Sequence, residues 1–208
     1  MKIKTAVSAL AMSLILIVTG CSGDSGVTFT RGKYDTSAKK YTSETFGISA
    51  TFDDNWEIYD DSKLATVSGI KSSTDEDFIK ALDSNGYVFD FYAQNKDAQS
   101  GTSINITVDN LKKSGNSLLN EENLAKKTID QVKTQFEAQG GTMDKAEKTT
   151  TTFAGKEMHS AEYKVTAGGV SIYEMQVFIK KGNYLCTVTL ASLSEDTVKS
   201  LVSKFAAL

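Results

Sequence analysis

Residues 154–192 read AGKEMHSAEYKVTAGGVSIYEMQVFIKKGNYLCTVTLAS, and their spacing decides the fold class. Three pairs, Ala154-Gly155, Gly168-Gly169 and Gly182-Asn183, cut the stretch at even intervals. Glycine and asparagine supply the positive φ that tight hairpin turns require. Between the turns the large apolar residues alternate. Ala161, Tyr163 and Val165 share one parity, as do Tyr173, Met175, Val177 and Ile179, and then Tyr184, Cys186, Val188 and Leu190. A period of two is the mark of half-buried strands. With the strand that precedes Ala154, the stretch predicts four antiparallel strands in a meander.

On either side of this meander the period changes to that of a helix. Leu124, Thr128, Ile129, Val132 and Phe136 form a stripe over residues 121–139, with Asn120 as cap, Glu121 and Glu122 at the positive end and Gly140-Gly141 as stop. A second helix is expected from Glu195, capped by Ser194, with a stripe of Val198, Leu201, Val202, Phe205 and Leu208.

Working further back, Ile104, Ile106 and Val108 alternate with Ser103, Asn105 and Thr107, a strand with one apolar face. From Tyr87 to Gln94 both parities are apolar, with Tyr87, Phe89 and Phe91 on one side and Val88 and Tyr92 on the other, so this strand is expected inside a sheet. Short helices are expected over 61–68 and 75–84, and short strands over 41–43, 48–52 and 56–58. The sum is an α+β domain: a strongly twisted antiparallel sheet of about six to seven strands with helices packed on it.

The amino terminus has a different character. Lys2 and Lys4 precede an apolar run, Ala6 to Val18, and Val18-Thr19-Gly20-Cys21 closes it. That is the layout of a secretory signal peptide over residues 1–20. Its ending, an aliphatic residue, a small one, Gly and Cys, resembles the lipobox of bacterial lipoproteins. The resemblance implies a diacylglyceryl thioether on Cys21, which becomes the first residue of the mature chain. The apolar run is too short to span a bilayer, which takes about 20 residues. Acyl chains contribute about 0.8 kcal/mol per buried methylene, so two or more hold stably. Residues 21–40, rich in Ser, Gly, Asp, Thr and Lys, are expected to be the lipidated terminus and a flexible linker, with residues 41–208 as the domain. The other reading of this linker has Phe29 and Tyr34 docked on the domain. The expected location is the extracytoplasmic face of a cell membrane.

Composition narrows the partners. Without Lys2 and Lys4 the mature chain has 21 basic against 26 acidic side chains, and no Lys/Arg cluster. Nucleic-acid binding runs on phosphate neutralisation, so it is not expected. Two cysteines and one histidine give neither a disulfide framework nor a usual zinc site, and Cys186 falls on the apolar face of a strand. No cofactor is implied beyond the lipid on Cys21.

The run Tyr41-Thr42-Ser43-Glu44-Thr45-Phe46-Gly47-Ile48, followed by Asp54-Asn55-Trp56, resembles the opening of PsbP/Mog1-like domains. Residues 29–69 are similar to lipoproteins of Firmicutes that carry this domain behind a lipobox and a polar linker. The resemblance implies a binding or assembly module rather than an enzyme, and it carries no binding residue across.

Candidates for chemistry are few. His159 lies on a strand, with no Gly-x-Ser-x-Gly elbow in the chain to accompany it. Asp53, Asp54, Glu57, Asp60 and Asp61 crowd one stretch, but not in the spacing of a calcium loop. Trp56, Tyr59, Tyr87 and Tyr92 could line a groove or fill a core. Asp90 stands alone among Val88, Phe89, Phe91 and Tyr92, and either satisfies a buried donor or faces a cleft. Trp56, Tyr59, Asp90 and Tyr92 are therefore the candidate binding surface. Three functions follow: a tethered non-enzymatic binding or assembly module, a surface hydrolase with a dispersed site, and a carrier of an apolar ligand. A pocket with two titratable groups in hydrogen-bond reach would favour the enzyme, and a dry aliphatic cavity the carrier.

Overall fold

The computed structural model describes residues 26–70, 74–138 and 140–208. Cys21 and the expected signal peptide lie outside the described residues.

The strands are β1 (Lys33–Asp35), β2 (Lys40–Ser43), β3 (Ile48–Thr51), β4 (Trp56–Ile58), β5 (Tyr87–Asn95) and β6 (Ser103–Asn110). They continue with β7 (Thr142–Phe153), β8 (Lys156–Ala167), β9 (Val170–Lys181), β10 (Tyr184–Ser192) and β11 (Phe205–Ala207). The helices are α1 (Asp61–Ser68), α2 (Asp75–Asn85), α3 (Glu121–Ala138) and α4 (Glu195–Leu201). A seven-stranded sheet has the order β4-β5-β6-β10-β9-β8-β7, and every pair in it is antiparallel. The α+β class and the meander β7 to β10 are as the glycine spacing predicts.

One face of this sheet carries the larger core. Ile104, Ile106 and Val108 meet Val177, Cys186 and Val188 there, beneath Phe78 and Leu82 of α2 and Val198 and Leu201 of α4. On the other face α3 lays Leu124, Ala125, Val132 and Phe136 against Ala161, Tyr163, Val165 and Ile172. Leu64 of α1 covers Phe89 and Tyr92 at the β5 end of that face. Among the described residues no helix is long and apolar enough to cross a membrane.

Four expectations need correction. The opening strands do not extend the main sheet; β1, β2 and β3 join β11 in a separate four-stranded sheet, order β1-β2-β3-β11, packed on the larger core. The last helix ends at Leu201. A 3-10 turn over Val202–Lys204 leads into β11, which pairs with β3 and sets Phe205 4.6 Å from the Phe153 ring. Helical spacing at the terminus thus yields to a strand edge that needed a partner. The alternation of β5 breaks at Asp90, where the register slips between Phe89 and Phe91. A bulge of this kind turns the residues after it to the opposite face. Val88, Phe91 and Ala93 consequently share the larger core, while Phe89 and Tyr92 face α1.

The fourth correction concerns residues 26–40, expected as linker. Phe29 is 7% exposed and stacks on Phe78 at 5.9 Å, and Lys33–Asp35 is strand. The docked reading of Phe29 and Tyr34 is the one found: Tyr34 packs on Phe52 and Phe91, at 6.3 and 5.9 Å. Burying two aromatic rings outweighs the ordering entropy of a few polar residues.

Candidate functional site

The docked segment forms one wall of a cleft. Glycine at position 32 is what lets the backbone approach. A Cβ there would lie 2.4 Å from both Oδ2 of Asp90 and the hydroxyl of Tyr41, well inside contact. With no side chain in the way, the Gly32 N–H donates to both carboxylate oxygens of Asp90, at 3.0 and 3.2 Å. Tyr41 Oη donates to Asp90 Oδ2 at 2.5 Å. The bulge aims Asp90 at these donors, which answers why a carboxylate stands among aromatic residues. Burial pushes the Asp90 carboxyl above the usual range, and the Tyr41 and Gly32 bonds pull it back. Burial first, then the Asp90 charge, raises the Tyr41 phenol far above its ordinary value.

Beside Gly32, the Arg31 guanidinium pairs with Asp61 in the first turn of α1 and lies over the Phe78 ring, 4.8 Å from its centre. Asp60 caps α1 by accepting from the Lys63 N–H at 2.9 Å. The cleft between these groups has a volume of about 530 Å³. Its walls include Arg31, Tyr34, Ile58, Tyr59, Asp60 and Asp75, with Asp90 and Phe91 as floor. That size and mixture of aromatic, aliphatic and charged walls suits a small ligand or a side chain of a partner.

Of the four sequence candidates, Tyr59 and Asp90 come together in the cleft. Tyr92 does not line it; it is 2% exposed and supports Tyr59 from below, ring centres 4.6 Å apart. Trp56 belongs to the core, 7% exposed and edge-on to Phe52 at 5.5 Å, with Lys204 Nζ over its ring at 5.1 Å. The acidic stretch is dispersed rather than pooled. Asp54 pairs with Lys39 at 2.6 Å, Glu57 with Lys63 at 2.5 Å and Asp61 with Arg31, while Asp53 and Asp60 accept backbone N–H groups. Among the described residues no three His, Cys, Asp or Glu side chains are grouped to hold a metal. His159 sits mid-strand opposite Thr150, half exposed. Cys186 is buried, as its strand position predicts.

Sequence reasoning missed Arg31, Gly32, Tyr34 and Tyr41 as site residues. The available signal was two aromatic residues, Phe29 and Tyr34, in an otherwise polar stretch.

No protein-family model matches the chain, and no curated protein is significantly similar to it in sequence. Among solved structures, it is similar to the cyanobacterial PsbP protein (CyanoP) of Synechocystis sp. PCC 6803, with 17% identity, 90% of this chain and 98% of that chain covered, and a TM-score of 0.46. A protein of Bacteroides thetaiotaomicron is 11% identical over 82% of this chain and 48% of that one, TM-score 0.40. LpqN of Mycobacterium tuberculosis, involved in cell envelope biogenesis, is 9% identical over 76% of each chain, TM-score 0.36. All three superpose below a TM-score of 0.5, so the architecture stands on this chain's own strand pairing.

Proposed function

We propose that the chain is a lipid-anchored, extracytoplasmic binding module whose ligand enters the cleft between the Arg31–Tyr34 segment and α1. One observation carries this reading: a cleft of about 530 Å³ with Tyr34 and Tyr59 on its walls, built where the chain enters the domain. The lipobox-like Val18-Thr19-Gly20-Cys21 supports the anchor, and the docked residues after it support a cleft held near the membrane.

Asp90 and Tyr41 are two titratable groups in hydrogen-bond reach, which is the observation that favours a hydrolase as second reading. Against it, the pair is engaged. The Tyr41 proton is donated to Asp90, and the Gly32 N–H bridges both carboxylate oxygens. Tyr41 is fully buried, so neither group is presented as a free base or nucleophile. The pair reads better as a latch that holds one wall of the cleft.

The experiment is photocrosslinking in intact cells, with a benzophenone amino acid at Tyr59 and, as control, at Thr149 on β7. A defined adduct at 59 and none at 149 supports the cleft as the binding site. Equal labelling at both, or none at 59, removes it.

A further inference from the structure

Among the described residues the exposed large apolar side chains are Val27, Leu118 and Leu208. Leu118 is 95% exposed, and the fold holds it in that position. Nζ of Lys180 on β9 donates to the carbonyl oxygens of Ser117 and Leu119, at 2.6 and 2.7 Å, gripping the loop on both sides of Leu118. The preceding Asn116 is fixed in turn: its N–H donates to the Leu111 carbonyl at 3.0 Å and its side-chain oxygen accepts from Lys127 Nζ at 2.7 Å. An isolated surface leucine needs no explanation, but one presented by an ordered loop of buried polar groups does.

The elements that carry the three side chains are linked through one end of the large sheet, the Leu118 loop on the α3 face and the segments of Val27 and Leu208 on the other. The Leu111 N–H donates to the Asn183 carbonyl at 2.7 Å, tying the start of the Leu118 loop to the β9–β10 turn. Next to that turn the Tyr184 ring lies 5.2 Å from Phe29, two residues after Val27. Phe29 is also 6.1 Å from Phe46, and the Leu208 N–H donates to the neighbouring Gly47 carbonyl at 3.2 Å. Lys113 and Lys181 are exposed at the same end, as are Asp83 and Glu44, so net charge is not what distinguishes it. Its distinction is apolar side chains around the point where the chain enters the domain. Eight peptide steps separate Cys21 from Phe29, a span of at most about 28 Å. An anchor that short keeps this end facing the bilayer.

We propose that this end of the domain docks on the phospholipid bilayer that holds the anchor, with Leu118 inserted at the headgroup–acyl boundary and Val27 and Leu208 beside it. Interfacial burial of a few apolar side chains adds to a covalent lipid in holding a domain at a surface. The docking rests on the lipid-anchored reading. It would fix how the domain stands on the membrane rather than leave it to swing on a tether.

The test uses the full mature, lipidated chain in vesicles of phosphatidylglycerol and phosphatidylethanolamine. A polarity-sensitive fluorophore is placed through Leu118→Cys or, at the opposite end of the large sheet, through Gln99→Cys. Both positions are exposed, and Cys186 is fully buried, so each label is specific and leaves the fold intact. Flotation with the vesicles reports the anchor; quenching by doxyl-labelled lipid reports docking. The expected result is flotation of both proteins with a blue shift and loss of emission only for the label at 118. Flotation with neither label quenched would overturn the docking and leave the anchor standing. Failure to float would overturn both. A label at 118 shielded from water yet untouched by doxyl lipid would mark a protein contact instead, and would equally overturn the proposal.

Discussion

Replacing Gly32 by alanine should loosen the wall of the cleft by driving a Cβ into the buried Tyr41–Asp90 pair. The added Cβ would sit 2.4 Å from Asp90 Oδ2 and from the Tyr41 hydroxyl, and 2.6 Å from Tyr41 Cε2. Neither neighbour can retreat, because Tyr41 and Asp90 are both buried and bonded to each other. The backbone must move instead, which lengthens the Gly32 N–H bonds to Asp90. Hydrogen bonds to a charged acceptor contribute about 1.5–3 kcal/mol, and overpacking costs about 1–3 kcal/mol. A loss of about 4 kcal/mol follows from the two terms together, or a fall of roughly 10 °C in Tm for a chain of this size. Denaturant unfolding followed by Trp56 emission measures it. Gly169→Ala is the control, since its site has open space but a positive φ of 80°, and should cost only about 1 kcal/mol from the backbone. If Gly32→Ala were no worse than Gly169→Ala, the close approach of backbone to the Asp90–Tyr41 pair would be refuted.

Further outcomes follow from the buried groups. Burial alone raises Asp109 to about 7, and burial, partly offset by the Gln176 amide, raises Glu174 to about 8. The folded state therefore holds protons that the unfolded chain has released above the ordinary carboxylate range. The stability these two groups contribute should be fully present below about pH 4 and be lost as pH rises through 7 and 8, by about 4 kcal/mol for each group. Asp109→Asn should roughly halve that slope below about pH 7 in urea titrations, leaving the Glu174 part, and an unchanged slope would count against the burial. Tyr41→Phe, which deletes the donor to Asp90, should cost about 1.5–3 kcal/mol and leave the far-ultraviolet circular dichroism unchanged. Trp56→Ala should cost about 3–5 kcal/mol as a core cavity, yet leave crosslinking at Tyr59 in place, which a ligand-contacting tryptophan would not. Calcium should leave Tm unmoved, because the five carboxylates of the 53–61 stretch have separate partners.

The legible and illegible parts of this chain divide along a physical line. Hairpins are local: Gly155, Gly168, Gly169 and Gly182 take positive φ at the turns their spacing predicts, and the strands between them follow. The α3 stripe is local too, and four of its five expected residues, Leu124, Thr128, Val132 and Phe136, are buried. The cleft is not local. Gly32 and Tyr41 lie 58 and 49 residues from Asp90 along the chain, and no period in the sequence links them. Asp90 was visible as an anomaly because a lone carboxylate among aromatics must find a donor, but its donors could not be named. The bulge at the same residue reversed the parity of Phe91, which alternation alone cannot foresee. Phe205 shows the converse case, where a helical pattern at the terminus was overruled by pairing with Ala50 on β3. Residues 26–40, part of the 21–40 stretch expected as linker, are polar in composition, which reports solubility, whereas Phe29 and Tyr34 set the docking.

Everything proposed for the anchor and the cleft near the membrane depends on what is attached to Cys21. Intact-mass and peptide mass spectrometry of the protein purified from its own membranes tests this most directly. The expected spectrum shows a mature chain beginning at Cys21 with a diacylglyceryl thioether on its sulfur. A chain that retains residues 1–20, or one that begins at Cys21 with a free thiol, would contradict it.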